Sequence, residues 1–166
     1  MTQATTTDPY CPLWRRLFAL FYDLFAVLAI VATVGLACQF ATRGQLITTG
    51  AHVHIAWWYQ PLQGLLVAAY FLVSWLRGGQ TLGMRPWRIR ITTSHGARLT
   101  VRQALVRLLI AALPLLLLWL APAWGLRAAL WAMTAAWGVW FAAALLDPRH
   151  RTVHDLVAGC ELRRVA

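Results

Sequence analysis

The sequence predicts an all-α membrane protein: a bundle of four transmembrane helices with a short cytoplasmic β-hairpin between the second and third spans. Three observations carry this reading. Of 166 residues, 60% are hydrophobic and only 12% charged, a balance foreign to a soluble domain of this size. Four apolar stretches stand out, at about Leu17 to Cys38, Ile55 to Leu76, Leu108 to Leu126 and Ala128 to Leu146. Each approaches the ~20 residues that cross ~30 Å of hydrocarbon. All fifteen basic residues are Arg, and only Arg43 and Arg127 fall in the loops after the first and third stretches. The other thirteen lie before the first span, in the middle loop 77–107 or in the tail 147–166. By the positive-inside rule this places both termini and the middle loop in the cytoplasm, which an even number of spans requires.

The first stretch is too long for the ~7 to 15 residue apolar core of a cleaved signal, and no small-x-small site follows it. The third and fourth are separated only by "APAWGLR". Pro122, Gly125 and Arg127, with a combined length near two bilayer crossings, point to a tight helical hairpin. Trp14, Trp57, Trp58, Tyr59 and Trp75 fall at span ends, as an aromatic belt does. Trp137 and Trp140 fall nearer mid-span and read as packing residues. The whole chain, 1–166, reads as one membrane domain.

The net charge of +10 would suit nucleic acid, but its placement along the chain explains it through orientation and contact with a bilayer bearing anionic headgroups. No nucleic-acid partner is expected. In the middle loop, Trp87, Ile89 and Ile91 alternate with Arg88 and Arg90, and Leu99 and Val101 alternate with Arg98, Thr100 and Arg102. A period of two predicts paired strands around a "TSHG" turn, with an apolar side shielded by the membrane surface or helix ends. "GGQTLG" follows a transmembrane helix instead of a strand and lacks a phosphate-loop Lys, so it is not a nucleotide loop.

Four blocks, "RLFALFYD" (Arg16 to Asp23), "GGQTLGMRPWRIRI" (Gly78 to Ile91), "RQALVR" (Arg102 to Arg107) and "DPRHRTVHDLVAG" (Asp147 to Gly159), occur in that order. Together they resemble the RDD family of small multi-pass membrane proteins, over nearly the whole chain. The resemblance implies a bacterial or archaeal membrane location, here the bacterial inner membrane. It puts the family Arg on Arg16 and the two Asp on Asp23 and Asp155. Gln80 and Met84 stand where Lys is usual, and Cys160 where Thr is usual. A role in transport, by ion or proton exchange, is what the resemblance implies about activity.

Read from the residues alone, Asp23 sits about two turns inside the first span. On a 100° wheel Arg16, Ala19, Asp23, Ala26, Ile30, Thr33 and Ala37 share one face, opposite Phe18, Phe21, Phe25 and Leu28. Small residues admit a neighbouring helix, so the carboxylate should face the bundle and the phenylalanines lipid. An unpaired carboxylate there is costly or protonated. The candidate partners are Arg16, about 10.5 Å along the axis, and Arg102 or Arg107 from the third span. Two roles stay open: a clamp to one of these arginines, or a titrating or ion-binding group on a transport path.

Asp155 falls among Arg151, His154, Leu156, Val157 and Leu162, a pattern typical of an interfacial segment, with Arg151 and His154 as candidate partners. His154 and Asp155 are adjacent, so on a helix they diverge by about 100° and form no catalytic dyad. His150 and His154, with Asp147 a turn earlier, have metal-pair spacing but lack a further strong ligand. His52 and His54 in "HVH" are a similarly weak signal. Cys11, Cys38 and Cys160 form no CxxC and no expected disulfide.

No metal, cofactor or catalytic residue is expected, since five acidic residues leave few general acids or bases and no nucleophile motif is present. Four spans are few for a transport path, so a homo-oligomer or partner subunit would complete one. The alternative function is a non-transporting structural or accessory subunit whose Arg and Asp residues fix helix packing and lipid contacts.

Overall fold

The computed structural model describes residues 11–49 and 53–165. Helix α1 (Leu13–Ala41) is followed by a two-stranded hairpin, β1 (Ile47–Thr49) and β2 (Val53–Ile55), with Ile47 opposite Ile55. Helix α2 (Tyr59–Arg77), strand β3 (Ile89–Thr93) and helix α3 (Val101–Ala112) come next. A 3₁₀ stretch (Leu113–Leu120) and the short helix α4 (Ala121–Trp124) continue α3. Helices α5 (Leu126–Leu146) and α6 (Val153–Ala158) and strand β4 (Cys160–Arg164) complete the chain.

Three segments, Leu13–Ala41, Val101–Trp124 and Leu126–Leu146, are long and apolar enough to cross a membrane. The second sequence stretch, Ile55 to Leu76, is not among them. Its first residue is held in β2, and the helix that follows carries Gln60, Pro61, Gln63 and Ser74, which dilute its apolar character. The third segment begins earlier than Leu108, because Thr100 and Gln103 form a capping box that starts α3 at Val101. Pro114 has no N–H to give a regular α-helix, and the chain winds more tightly from Leu113 to Leu120. The expected break between the last two spans falls at Gly125, whose φ of +84° turns the chain into α5.

Large apolar side chains, Phe18, Phe21, Phe25 and Leu28 of α1 among them, are exposed along the helices. Lipid would cover them. The buried residues of α1 are Arg16, Ala19 and Asp23, the first part of the face expected to pack inward. Further along it Ala26 and Ile30 are half-buried, and Thr33 and Ala37 are exposed because no neighbouring helix among the described residues covers them.

The core gathers instead around the ends of the helices, where Ala19, Trp75, Met84, Ile89, Ile91, Leu99, Ala104, Ala158, Cys160 and Leu162 pack with Cys11. Its frame is a two-stranded antiparallel sheet, and here the sequence-based pairing is corrected. Strand β3 pairs with β4, Ile91 opposite Leu162 and Thr93 opposite Cys160, and not with residues 98–102. The turn after β3 does form, with Thr93 N–H donating to Ala97 O at 2.9 Å. The residues beyond it are taken by the Thr100 cap, so Val101 opens a helix and stands exposed. The tail is likewise not a simple interfacial segment: Leu162 is buried in this core, while Leu156 and Val157 remain exposed. Helix α1 packs on α2, α2 on α3, and α3 on α6, while α5 runs along the 3₁₀ stretch.

Candidate functional site

Two buried aspartates lie within this end of the molecule, and they are held in different ways. Asp155, in the first turn of α6, is fully buried. Arg16 Nη1 donates to its Oδ2 at 2.9 Å, and Arg107 Nη1 pairs with its Oδ1. Thr152 completes the set: its hydroxyl and its N–H donate to Oδ2 at 2.8 and 3.2 Å, and the N–H bond is one of the two bonds of a capping box. Cys160 Sγ lies 3.8 Å from Oδ1 and 3.4 Å from Arg107 Nη1. The Arg107 guanidinium stands 5.1 Å from the centre of the Trp75 ring, a cation–π contact. One carboxylate thus joins α1, α3, α6 and, through Trp75, α2.

The cluster carries two guanidiniums for one carboxylate, and Arg16 Nε, Arg16 Nη2 and Arg107 Nε are buried with no acceptor among the described residues. The excess positive charge acts on its neighbours. His154 Nε2 is 3.9 Å from Asp155 Oδ1, yet burial, reinforced by Arg107 and Arg16, pushes its pKa down to about 2. The imidazole is therefore neutral and this contact is not an ion pair; its Nε2 shares a hydrogen bond with Thr152 Oγ1. Burial also pushes the Cys11 thiol up, against the opposing pull of Arg16.

Asp23 is buried on α1 without an arginine. Tyr70 Oη of α2 donates to Oδ1 at 2.8 Å, Gly83 N donates to Oδ1 at 2.9 Å, and Thr81 Oγ1 donates to Oδ2 at 2.5 Å. The clamp to Arg16, Arg102 or Arg107, one of the two roles open for Asp23, does not form, and three neutral donors take its place. Arg16 and Arg107 are committed to Asp155, and Arg102 is exposed on the first turn of α3. Gly83 makes the contact possible: a Cβ there would lie 2.2 Å from Ala19 O and 2.7 Å from Asp23 N. Tyr70 Oη in turn accepts from Leu82 N at 3.1 Å, fastening the 81–83 segment to α2.

The remaining candidates separate. Arg151 pairs with Asp147, not Asp155: its Nε and Nη2 donate to the two carboxylate oxygens at 3.0 and 2.9 Å. That bond holds the Asp147 carboxyl well below the usual range. Asp147 is thus engaged elsewhere than with His150, whose Nδ1 meets Ala144 O at 3.1 Å. His52 lies outside the described residues, as does the side chain of His54.

Tyr70, Thr81, Gly83 and Thr152 are not anticipated from the sequence, and neither is the buried Glu161, which pairs with Arg163 and Arg149. Two signals for them were present. Thr152 and Asp155 stand at capping-box spacing, and Tyr70 is a phenol in an otherwise apolar run.

No curated protein and no solved structure matches the chain. The model of the RDD family, a membrane-associated family, matches residues 10–159, which takes in Arg16, Asp23, Arg107 and Asp155. The Arg and both Asp that anchor the two buried clusters thus lie within the matched region, and the chain belongs to the RDD family.

Proposed function

We propose that this RDD-family protein is a structural or accessory subunit of the bacterial inner membrane, with no enzymatic activity of its own. It spans the membrane four times, α2 being the fourth span, with both termini in the cytoplasm. Its buried Arg and Asp residues serve to assemble the helices. One observation carries this reading: Asp23 and Asp155 are each saturated by donors from other elements, Tyr70, Thr81 and Gly83 for one, Arg16, Arg107 and Thr152 for the other. A carboxylate committed in this way ties segments together. The arginine asymmetry supports the orientation, and at about 28 Å for 19 residues α2 is long enough to cross.

A second reading, ion or proton exchange, is favoured by a different feature of Asp23. Among the described residues it has no cationic partner, and buried carboxylates of that kind mark transport paths in membrane proteins. A homo-oligomer or partner subunit would then complete the route.

Asp23→Asn separates the two. The structural reading expects a lower melting temperature, because the amide offers an NH₂ where one donor expects an acceptor, and no change in solute flux. Exchange at Asp23 expects a folded variant that has lost proton- or sodium-driven flux in proteoliposomes. Flux by the wild-type protein that Asp23→Asn abolishes without loss of stability would overturn the structural reading. A periplasm-active reporter fused after Ala166 that gave high activity would overturn the four-span topology.

A further inference from the structure

A cleft of about 480 Å³ opens at the start of α1, lined by Trp14, Arg15, Pro86, Trp87, Arg88, Arg164 and Val165. Its size falls in the range of small-molecule sites. Its three arginines come from three separate segments, and none makes an ion pair with a carboxylate among the described residues. Backbone geometry assembles them. Arg88 adopts a left-handed conformation, φ +49°, uncommon for a side chain other than glycine. Its carbonyl accepts from Val165 N at 2.7 Å, which fastens the end of β4, and with it Arg164, alongside. Arg15 Nη1 donates to Trp87 O at 3.2 Å, while Arg15 Nε and Trp87 Nε1 are buried donors without acceptors among the described residues. The cleft therefore offers concentrated positive charge.

The walls indicate where such a ligand comes from. Trp87 stacks on Phe18 at 4.9 Å between ring centroids and meets Trp14 and Tyr22 edge-on at 5.6 and 6.1 Å. Trp14, Phe18 and Tyr22 are themselves exposed on α1, continuous with Phe21 and Phe25. An aromatic track thus runs from the basic cleft onto the apolar surface of a membrane-crossing helix.

We propose that the cleft binds the phosphate headgroup of an anionic phospholipid, its acyl chains lying along the Trp14, Phe18 and Tyr22 face of α1. A free phosphate ester shares the headgroup chemistry but would gain nothing from that track.

The test uses the full chain purified in detergent and offered equimolar phosphatidylglycerol and phosphatidylcholine in mixed micelles, with retained lipid counted by native mass spectrometry. The wild type should retain phosphatidylglycerol in preference. Each arginine near an anionic surface contributes about a five-fold gain in binding, so Arg88→Gln should lower retention about five-fold and Arg88→Gln/Arg164→Gln more than ten-fold. Arg98→Gln, exposed and away from the cleft, should retain lipid as the wild type does. Should the double variant elute as aggregate, exposed Arg88→Gln alone carries the comparison. Equal retention by wild type and Arg88→Gln, or equal loss from Arg98→Gln, would overturn the site. Displacement of phosphatidylglycerol by an equal concentration of glycerol 3-phosphate would overturn the lipid as its source.

Discussion

Arg16, in the first full turn of α1, donates to Asp155 across 139 residues of chain, 2.9 Å apart and both buried. Arg107 meets the other oxygen of the same carboxylate, leaving the cluster one positive charge in excess. This imbalance orders the mutants. Asp155→Asn strands two buried guanidiniums, whereas Arg16→Met leaves Arg107 and Asp155 as a balanced pair. Loss of one partner from a buried ion pair costs about 3 to 5 kcal/mol in water-soluble proteins, and membrane settings give smaller values. Asp155→Asn should therefore lower the melting temperature more than Arg16→Met does, with partial recovery in the double variant. Melting of the three purified proteins in one detergent checks the order, and the reverse order would refute the charge count.

Much of α1 was legible because a helix repeats its faces every few residues: Asp23 and Ala19 fall inward and Phe18, Phe21 and Phe25 outward, as the wheel requires. Which groups meet across helices was not legible. The sequence contains Arg16, Asp23, Arg107 and Asp155, but no periodicity assigns one arginine to one aspartate, and the choice depends on where α6 and the 81–83 segment come to rest. Strand β4 was hidden for a related reason. "CELRR" alternates too briefly to announce a strand, and its one acidic residue, Glu161, is buried beside Arg163. Thr100 and Gln103, by contrast, printed a capping box in plain sight, and it marks where strand-like alternation gives way to helix.

Gly83 should tolerate no side chain. The atoms that its Cβ would meet first are backbone atoms of α1, Ala19 O and Asp23 N, and a helix backbone cannot yield as a flexible side chain can. Gly83→Ala must push the 81–83 segment away from Asp23 and loosen the bonds from Gly83 N and Thr81. Gly138→Ala in α5 is the counterpart, since nothing lies within 4 Å of its Cβ position. Replacing that helical glycine should be neutral or stabilising by about 0.5 to 1 kcal/mol. Thermal unfolding of both variants, measured side by side, checks the contrast.

His154 sets a pH dependence whose sign is fixed. Its folded pKa, pushed down to about 2, lies below the ordinary histidine value of 6.5. Between those values the unfolded chain binds a proton that the folded protein does not, so stability rises with pH through that window and is lost as pH falls. From pH 7 to pH 5 this one group should cost about 2 kcal/mol. Asp155, 3.9 Å away, would favour the imidazolium, but the two arginines paired with it outnumber it. His154→Gln should flatten the decline between pH 7 and 5, as read by melting at the two pH values. An equally steep decline in the variant would remove His154 as its source.

The pairing of β3 with β4 yields the sharpest test, because the alternative hairpin makes opposite demands of two residues. In the observed register Ile91 faces Leu162, both buried, while Val101 is 60% exposed at the start of α3. In a hairpin closed by the "TSHG" turn, Val101 would belong to the shielded apolar side and Leu162 would be dispensable. Ile91→Ala and Leu162→Ala should each cost about 2 to 5 kcal/mol as buried truncations. Because the two residues are direct cross-strand partners, the double variant should depart from additivity by about 0.5 kcal/mol or more. Val101→Asp should be harmless or stabilising by about 0.3 to 1 kcal/mol, since an acid in the first turn of a helix meets its positive end. A Val101→Asp protein that fails to fold, beside a Leu162→Ala protein that melts like the wild type, would restore the hairpin and remove β4 from the sheet.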